Sequence, residues 1–199
     1  ALNLRRLRSK ISKLAAGYQP KGAWSEYNRT CGYDDDAERA KRALVAEFIE
    51  STRPRRVLDL GCNTGDYSRL AAASGAEVIA VDCDHDSVEV LYRQLRKAPA
   101  AITPMVVDLC NPSPGVGYLN RERVSFLDRV HADCVLALAL IHHLLVAGNL
   151  SPAAIRDLFC ELSNRDLVLE FVPREDAMFQ RLMKFRVDLF GGVTLDACR

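Results

Sequence analysis

The stretch 57–68 constrains the fold of this chain more than any other. Val57 and Leu58 begin an apolar run typical of a buried strand, the run breaks at Gly61, and a helical pattern starts near Asp66. A strand, a tight turn and a helix start therefore follow one another within twelve residues.

Glycines lie at both ends of this turn, at positions 61 and 65. Glycine lets the backbone approach a ligand closely, and the first N–H groups of a helix are free to bind one. The turn predicts a nucleotide-like ligand, although an ordinary strand-to-helix turn needs glycine for its geometry alone.

The rest of the chain alternates apolar strands with helices. The predicted strands are 57–60, 77–82, 102–108, 133–140 and 167–172, and the predicted helices are 87–97, 121–129, one starting at Ser151-Pro152, and 177–190. Strands that are apolar on both faces need helices on both sides. The pattern therefore predicts an α/β fold with a doubly wound, mostly parallel sheet.

Two parts are expected: an N-terminal helical extension with a lid-like loop, 1–52, and the α/β domain, 53–199. The first helix, 4–14, combines basic residues with an apolar face of Leu4, Leu7, Ile11 and Leu14. We expect that face to dock on its own domain rather than on a membrane surface or RNA. An aromatic-containing loop with Trp24 follows, and then a helix over 34–50.

Composition bears on the partners, the cysteine chemistry and the cellular location of the protein. The 27 basic and 26 acidic residues balance, which gives no electrostatic argument for a nucleic-acid partner. Seven cysteines, an odd number without a Cys-x-x-Cys pair, argue against a disulfide framework and against a zinc site. The longest apolar run, 134–141, is too short to span a bilayer, and no secretory signal is present. A cytoplasmic protein without a membrane partner or a metal is expected.

Acidic residues end the second and third predicted strands. Asp82 is placed to accept hydrogen bonds from both hydroxyls of a ribose, and Asp108 from an adenine amino group, because ligands of such sheets bind beyond the carboxyl ends of the strands. Either acid alone is compatible with a helix cap or a turn. Together they outline an adenosine.

The turn itself selects among adenosine cofactors. A dinucleotide site needs Gly-x-Gly-x-x-Gly, but here Asn63 and Asp66 replace two of the glycines, and Asp59 precedes the turn. Acids beside the turn repel a pyrophosphate and suit a ligand that carries an ammonium and a sulfonium. S-adenosylmethionine is such a ligand, and a nicotinamide-dependent oxidoreductase is disfavoured.

Residues 57–65 resemble the first motif of class I S-adenosylmethionine-dependent methyltransferases, and 78–82 and 106–108 resemble the second and third. The stretches that resemble the narrower group of nodulation-related NoeA-like methyltransferases are 24–33, 111–118, 136–144 and 170–176. The resemblance implies a Rossmann-like methyltransferase sheet, S-adenosylmethionine as cofactor and S-adenosylhomocysteine as product.

By this resemblance Asp82 holds the ribose, Asp108 and Leu109 flank the adenine, and the glycine turn passes under the methionine part. The full predicted cofactor-binding set is Asp59, Gly61, Cys62, Asn63, Gly65, Asp82, Cys83, Asp108, Leu109, Ala137 and Leu138. Class I sheets end in an antiparallel hairpin, for which 191–199 is too short, so we expect the chain to be a fragment.

Methyl transfer is an in-line displacement at sulfur, and a base is needed only when the acceptor must lose a proton. His142 and His143, just past the fourth strand, are candidate bases because imidazole titrates near neutrality. A strand cap and a packed core residue are equally good accounts of the pair. Glu170, at the end of the fifth strand, is a second candidate base or a substrate anchor.

The acceptor is predicted by exclusion. Methyltransferases acting on nucleic-acid amino groups carry an Asn/Asp-Pro-Pro-aromatic motif after strand four; here 111–114 follows strand three and lacks the aromatic residue. A small-molecule acceptor is favoured, with oxygen as one candidate nucleophile. The alternatives are an RNA-directed methyltransferase tethered by Arg5, Arg6 and Arg8 of the first helix, and a non-catalytic cofactor-binding protein.

Overall fold

The computed structural model describes residues 2–20, 35–184 and 186. The predicted lid-like loop around Trp24 and the C-terminal stretch 191–199 lie outside the described residues. The helix predicted over 177–190 is shorter than predicted: it ends at Met183, because Lys184 leaves the helical backbone conformation with a ψ of 123°.

Five strands form one sheet in the described part of the chain. They are β1 (Arg56–Leu60), β2 (Glu77–Asp82), β3 (Ile102–Val106), β4 (Ala132–Ala137) and β5 (Ser163–Leu169), in the spatial order β3-β2-β1-β4-β5. Every pairing is parallel, which confirms the predicted doubly wound α/β sheet. From β1 the chain adds β2 and β3 on one side, and then returns to add β4 and β5 on the other side of β1. The topological switch point therefore lies between the neighbouring strands β1 and β4, and ligands of such sheets bind at this point.

Helices cover both faces of the sheet. They are α1 (Leu2–Ala15), α2 (Asp35–Thr52), α3 (Asp66–Ala73), α4 (His85–Lys97), α5 (Phe126–Arg129), α6 (Ile141–Val146), α7 (Pro152–Leu162) and α8 (Ala177–Met183). Successive residues of β1 enter different cores, because side chains alternate along a strand: Val57 packs with Ile49 of α2, and Leu58 with Leu162 of α7. Helix α7 begins as predicted, with Ser151 as its cap and Pro152 in its first turn.

The predicted helix over 121–129 is mostly wrong. A 3₁₀ turn at Tyr118–Asn120 lies just before it, and Arg123, in its first half, forms an antiparallel bridge with Val116 instead of a helical turn. The Ser125 hydroxyl accepts a hydrogen bond from the Asp128 backbone N–H at 3.1 Å, so the helix begins only at Phe126, whose ring is fully buried.

Several strand boundaries also differ from prediction. The third strand ends at Val106 rather than at position 108, and the fifth ends at Leu169 rather than at position 172. The fourth strand ends at Ala137 rather than at position 140, because Ala139 adopts a left-handed φ of 48° and turns the chain into α6. The fifth strand begins at Ser163, four residues earlier than predicted. Its first residues are polar and so do not show the apolar pattern of a buried strand. They are tolerated because β5 lies at one edge of the described sheet, where charged residues are common.

Helix α1 forms as predicted. The predicted docking of its apolar face on the α/β domain is wrong for the side chains that the structure describes. All side chains from 3 to 14 are exposed, including 71% of Leu4 and 82% of Leu14. The contact with the domain comes after the helix, where Arg93 of α4 donates to the Tyr18 carbonyl at 3.0 Å. None of the helices in the described ranges has both the length and the hydropathy to cross a bilayer.

Gly65 gives a test of the turn that begins α3. Its φ is 86°, and a Cβ there would lie 2.6 Å from Cδ1 of the fully buried Leu91. We expect Gly65→Ala to lower the free energy of unfolding by about 2–4 kcal/mol, since backbone strain and overpacking add. The measurement is urea denaturation.

Gly75 provides the matched control. Its φ is 96°, and in the described structure no atom lies within 4 Å of an added Cβ. Gly75→Ala therefore carries only the backbone strain, about 1–2 kcal/mol. Equal losses in the two variants would show that contact with Leu91 has no part in the requirement for glycine.

Candidate active site

A cavity of about 940 Å³ opens at the carboxyl ends of the strands, beside the switch point. Its volume lies near the top of the range of roughly 300–1,000 Å³ that is usual for small-molecule sites. The turn after β1, the ends of β2 and β3, and helices α2, α3 and α6 contribute its walls.

The turn after β1 brings its backbone to the cavity through Gly61. This residue has a φ of 70°, its N–H donates to the Val81 carbonyl at 2.9 Å, and an added Cβ would lie 3.1 Å from Cδ1 of Leu140. Gly65 does not line the cavity, and its missing side chain faces the core at Leu91. The two glycines therefore serve different purposes, one at the cavity and one in packing.

The Asp82 carboxylate is fixed by two backbone donors. Its Oδ2 accepts from the Asn63 N–H at 2.8 Å, and its Oδ1 accepts from the Asp84 N–H at 2.8 Å. Burial raises the pKa of Asp82, and these two hydrogen bonds oppose the rise. Each carboxylate oxygen can accept one further hydrogen bond, which is what a ribose diol requires.

Asp59 is a buried carboxylate in the cavity wall, with 3% of its surface exposed. It accepts a hydrogen bond from the Ser68 hydroxyl. Burial raises the pKa of Asp59 to about 6, although the Ser68 hydrogen bond opposes the rise. A cation bound beside it would favour the ionised carboxylate.

The far side of the cavity combines apolar surface with one ordered acid. Val107 and Leu109 are buried and line the cavity. Asp108 lies between them, and its Oδ1 accepts from the Cys110 N–H at 2.9 Å. Apolar faces beside a hydrogen-bond acceptor suit a flat, amino-bearing ring such as adenine.

The structure brings most of the predicted cofactor-binding residues together. Those that line the cavity are Asp59, Gly61, Cys62, Asn63, Asp82, Cys83, Asp108, Leu109 and Leu138. Ala137 is buried within β4 beside Leu169, and the cavity wall begins at the next residue.

The three candidate catalytic residues occupy different environments. His143 lines the cavity, and burial lowers its pKa, so its ring is neutral at pH 7. Glu170 does not line the cavity, and its Oε2 lies 2.8 Å from the Lys41 ammonium.

His142 points away from the cavity, into the core. Its ring is 2% exposed and stacks on Phe179 of α8, with 5.9 Å between the ring centroids. Neither ring nitrogen has a hydrogen-bond partner among the described residues. Burial, and to a smaller extent the nearby His143, together lower the pKa of His142 to about 4.

Sequence reasoning identified Asp66 at the start of α3 but missed the part of the wall contributed by α2 and by Tyr67 of α3. Glu38 and Lys41 of α2 line the cavity together with Tyr67 of α3, and the Tyr67 hydroxyl donates to Glu38 Oε1 at 2.9 Å. The signal was the three-residue spacing of Glu38 and Lys41, which puts both on one helix face. No sequence pattern showed that this face turns toward the strand ends.

The cavity wall has a predominantly acidic set of charged residues. Its carboxylates are Glu38, Asp59, Asp66, Asp82 and Asp108, and Lys41 is the one lysine or arginine that lines it in the described ranges. Such a wall fits a ligand with sulfonium and ammonium charges and opposes a pyrophosphate. The residues that line the cavity thus fit S-adenosylmethionine. Over the described residues, no group of His, Cys, Asp and Glu is arranged to hold a metal ion.

Known proteins resemble this chain in sequence. A family model described as a methyltransferase domain matches residues 33–185. Nodulation protein NoeA of Rhizobium meliloti (strain 1021) is 35% identical over 195 residues, which are 98% of this chain and 41% of NoeA. The cypemycin N-terminal methyltransferase of a Streptomyces species is 46% identical over 54 residues, 26% of this chain and 22% of that protein. The chain thus spans about two fifths of the length of NoeA.

Solved structures share the fold. Monomeric WbdD superposes with a TM-score of 0.56 at 18% identity, over 86% of this chain and 41% of that one. The magnesium protoporphyrin IX methyltransferase ChlM of Synechocystis PCC 6803, solved with bound SAH, gives a TM-score of 0.51 at 22% identity, over 68% of this chain and 56% of that one. The predicted methyltransferase fold and the resemblance to NoeA are both confirmed. With a family match that covers most of its length, the chain belongs to the methyltransferase-domain family.

Proposed function

We propose that this protein transfers the methyl group of S-adenosylmethionine to a small-molecule acceptor, with an oxygen atom as one candidate nucleophile. The observation that carries the proposal is the Asp82 carboxylate, held by the Asn63 and Asp84 N–H groups beside the cavity. The methyltransferase family implies the cofactor, and the acidic cavity wall suits its charges.

The cofactor, when bound, supplies a methyl group on a positively charged sulfur. In the proposed arrangement Asp82 accepts the ribose hydroxyls, Asp108 and Leu109 flank the adenine, and the turn at Gly61 supports the methionine part. Asp59 lies where a carboxylate favours a cationic ligand. These residues orient the cofactor, and orientation supplies much of the acceleration of such a displacement.

Two features support a small acceptor. The cavity volume of about 940 Å³ leaves room for the cofactor and a small acceptor together. Its wall beyond the predicted cofactor residues contains Leu140, Leu144 and Leu182, which exclude water from the reacting atoms. A concave, partly apolar wall suits a small molecule held beside the cofactor better than a polymer.

His143 is the proposed base where the acceptor must lose a proton. It lines the cavity in a neutral form, and a neutral imidazole can accept a proton at a ring nitrogen. His142 is buried behind it against Phe179, so we assign His142 a packing role.

An RNA-directed methyltransferase is the second candidate. It is favoured by α1, which has five exposed basic residues and no acidic one. Against it stand the carboxylates of the cavity wall, which repel the phosphates of an RNA strand near the reacting centre. We therefore place the small-molecule acceptor first.

The cofactor assignment is tested at Asp82. We expect Asp82→Ala to abolish measurable binding of S-adenosylmethionine and S-adenosylhomocysteine by calorimetry, because the ribose loses both hydrogen-bond acceptors. Asp157→Ala, an exposed acid on α7, is the control and should bind as the parent does. Unchanged affinity in Asp82→Ala would remove the ribose assignment.

The base assignment is tested at His143. With an acceptor found by screening for S-adenosylhomocysteine release, His143→Gln should lower kcat by about a hundredfold or more while cofactor affinity holds. The parent rate should fall as pH drops through the His143 pKa, which lies below 6.5. His131→Gln, outside the cavity wall, should leave rate and pH profile unaltered. A variant at 143 with parental kinetics would exclude a base at this position.

The packing role of His142 predicts a pH dependence of stability. Its pKa of about 4 in the folded protein lies below the ordinary value of 6.5, so the unfolded chain binds the proton first as pH falls. The parent should lose roughly 2–3 kcal/mol between pH 7 and pH 4 through this residue, relative to His142→Leu. Urea denaturation across this range measures the difference. A constant difference between the two proteins would contradict a buried, neutral His142.

A further inference from the structure

The ion pair between Lys41 and Glu170 joins a helix to the sheet at the edge of the cavity. Lys41 Nζ lies 2.8 Å from Glu170 Oε2, and the side chains are 18% and 19% exposed. Glu170 directly follows β5, and its backbone N–H donates to the Ala137 carbonyl at 3.1 Å. Lys41 therefore binds to a point that is itself fixed to the carboxyl ends of β4 and β5.

The burial along α2 shows what this ion pair holds. The second half of the helix is anchored by apolar side chains, with Val45 4% and Ile49 1% exposed. In the stretch 36–44 every side chain is exposed except those of Glu38 and Lys41. The first half of α2 is thus attached to the described domain through two polar side chains.

Both polar side chains converge on Tyr67. Its hydroxyl donates to Glu38 Oε1 at 2.9 Å, and its ring centroid lies 5.1 Å from Lys41 Nζ. Glu38, Lys41 and Tyr67 all line the cavity. A movement of the first half of α2 would therefore change the cavity wall directly.

The shielding of this ion pair sets it apart from the other ion pairs described. Arg56 and Glu77, for example, are 44% and 60% exposed, and water and salt screen a pair of that kind. Among ion pairs in the described ranges, Lys41–Glu170 is the one in which both side chains are less than one fifth exposed. A shielded pair depends on its geometry and can hold an element in place.

We propose that Lys41 and Glu170 are positioning residues, which hold the first half of α2 against the cofactor cavity and so slow the release of the adenosyl ligand. The proposal rests on the proposed function in that it takes S-adenosylmethionine and S-adenosylhomocysteine as the ligands. It assigns Glu170 to Lys41 rather than to proton transfer, since the carboxylate is engaged outside the cavity wall.

The first measurement needs no ligand. Amide hydrogen exchange over residues 36–44 should be faster in Lys41→Met and in Glu170→Gln than in the parent protein, because each change breaks the ion pair that attaches this stretch to the end of β5. Arg56→Met and Glu77→Gln are matched controls that break an exposed ion pair, and they should exchange at the parental rate. Parental exchange in all four variants overturns the proposal whatever the protein binds.

The second measurement is the dissociation rate of S-adenosylhomocysteine, by surface plasmon resonance. Lys41→Met and Glu170→Gln should each raise it on the order of tenfold, and the double variant no further, since both remove the same ion pair. The exchanged pair, Lys41→Glu with Glu170→Lys, should recover part of the slow release. The controls at Arg56 and Glu77 should match the parent.

These outcomes separate the two proposals. If the parent protein binds S-adenosylhomocysteine and the variants release it at the parental rate, the positioning role is wrong and the proposed function stands. If the parent shows no binding at millimolar ligand while exchange over 36–44 responds as expected, the proposed function is wrong and the attachment of α2 is real. A faster release that the exchanged pair does not recover, with an equal loss of thermal stability in the control variants, also overturns the positioning role.

Discussion

The hydrogen bond from the Asn63 N–H to Asp82 is the interaction on which the site depends. It joins the turn after β1 to the end of β2, so that the backbone of one strand connection and the acid of the next hold a fixed relation. Asn63 makes it with a left-handed φ of 48°, a conformation that asparagine adopts more readily than most residues. The position at which this turn departs from the dinucleotide pattern is thus also the position whose backbone N–H orients the carboxylate.

The central strands and their turn follow from local sequence, and the elements at the periphery do not. β1 and β2 are apolar because helices cover both of their faces, and the cap at Ser151-Pro152 is a local signal. β5 starts in the polar run 163–166, where an edge position relaxes the need for apolar residues. The start of helix α6 depends on the left-handed backbone at Ala139, and alanine is not a residue type from which a positive φ is predicted.

The candidate site divides in the same way. Residues at strand ends, such as Asp82 and Leu109, could be placed from the fold class alone, because parallel strands deliver their carboxyl ends to one edge. Glu38, Lys41 and Tyr67 could not, since their place depends on how α2 packs across the sheet. The positions of the two adjacent histidines likewise could not be predicted from the fold class. Neighbouring positions on a short helix put His143 on the cavity and His142 against Phe179, and only tertiary packing decides which is which.

Asp59 couples the site to the proton concentration of the solvent. A buried carboxylate with a pKa of about 6 is partly protonated in the free protein near neutral pH. A cationic ligand beside it favours the ionised form, so ligand binding and proton release occur together. If the proposed cofactor binds there, its binding heat contains the ionisation heat of the buffer, and its affinity weakens in acid because protonation of Asp59 removes the negative charge beside it.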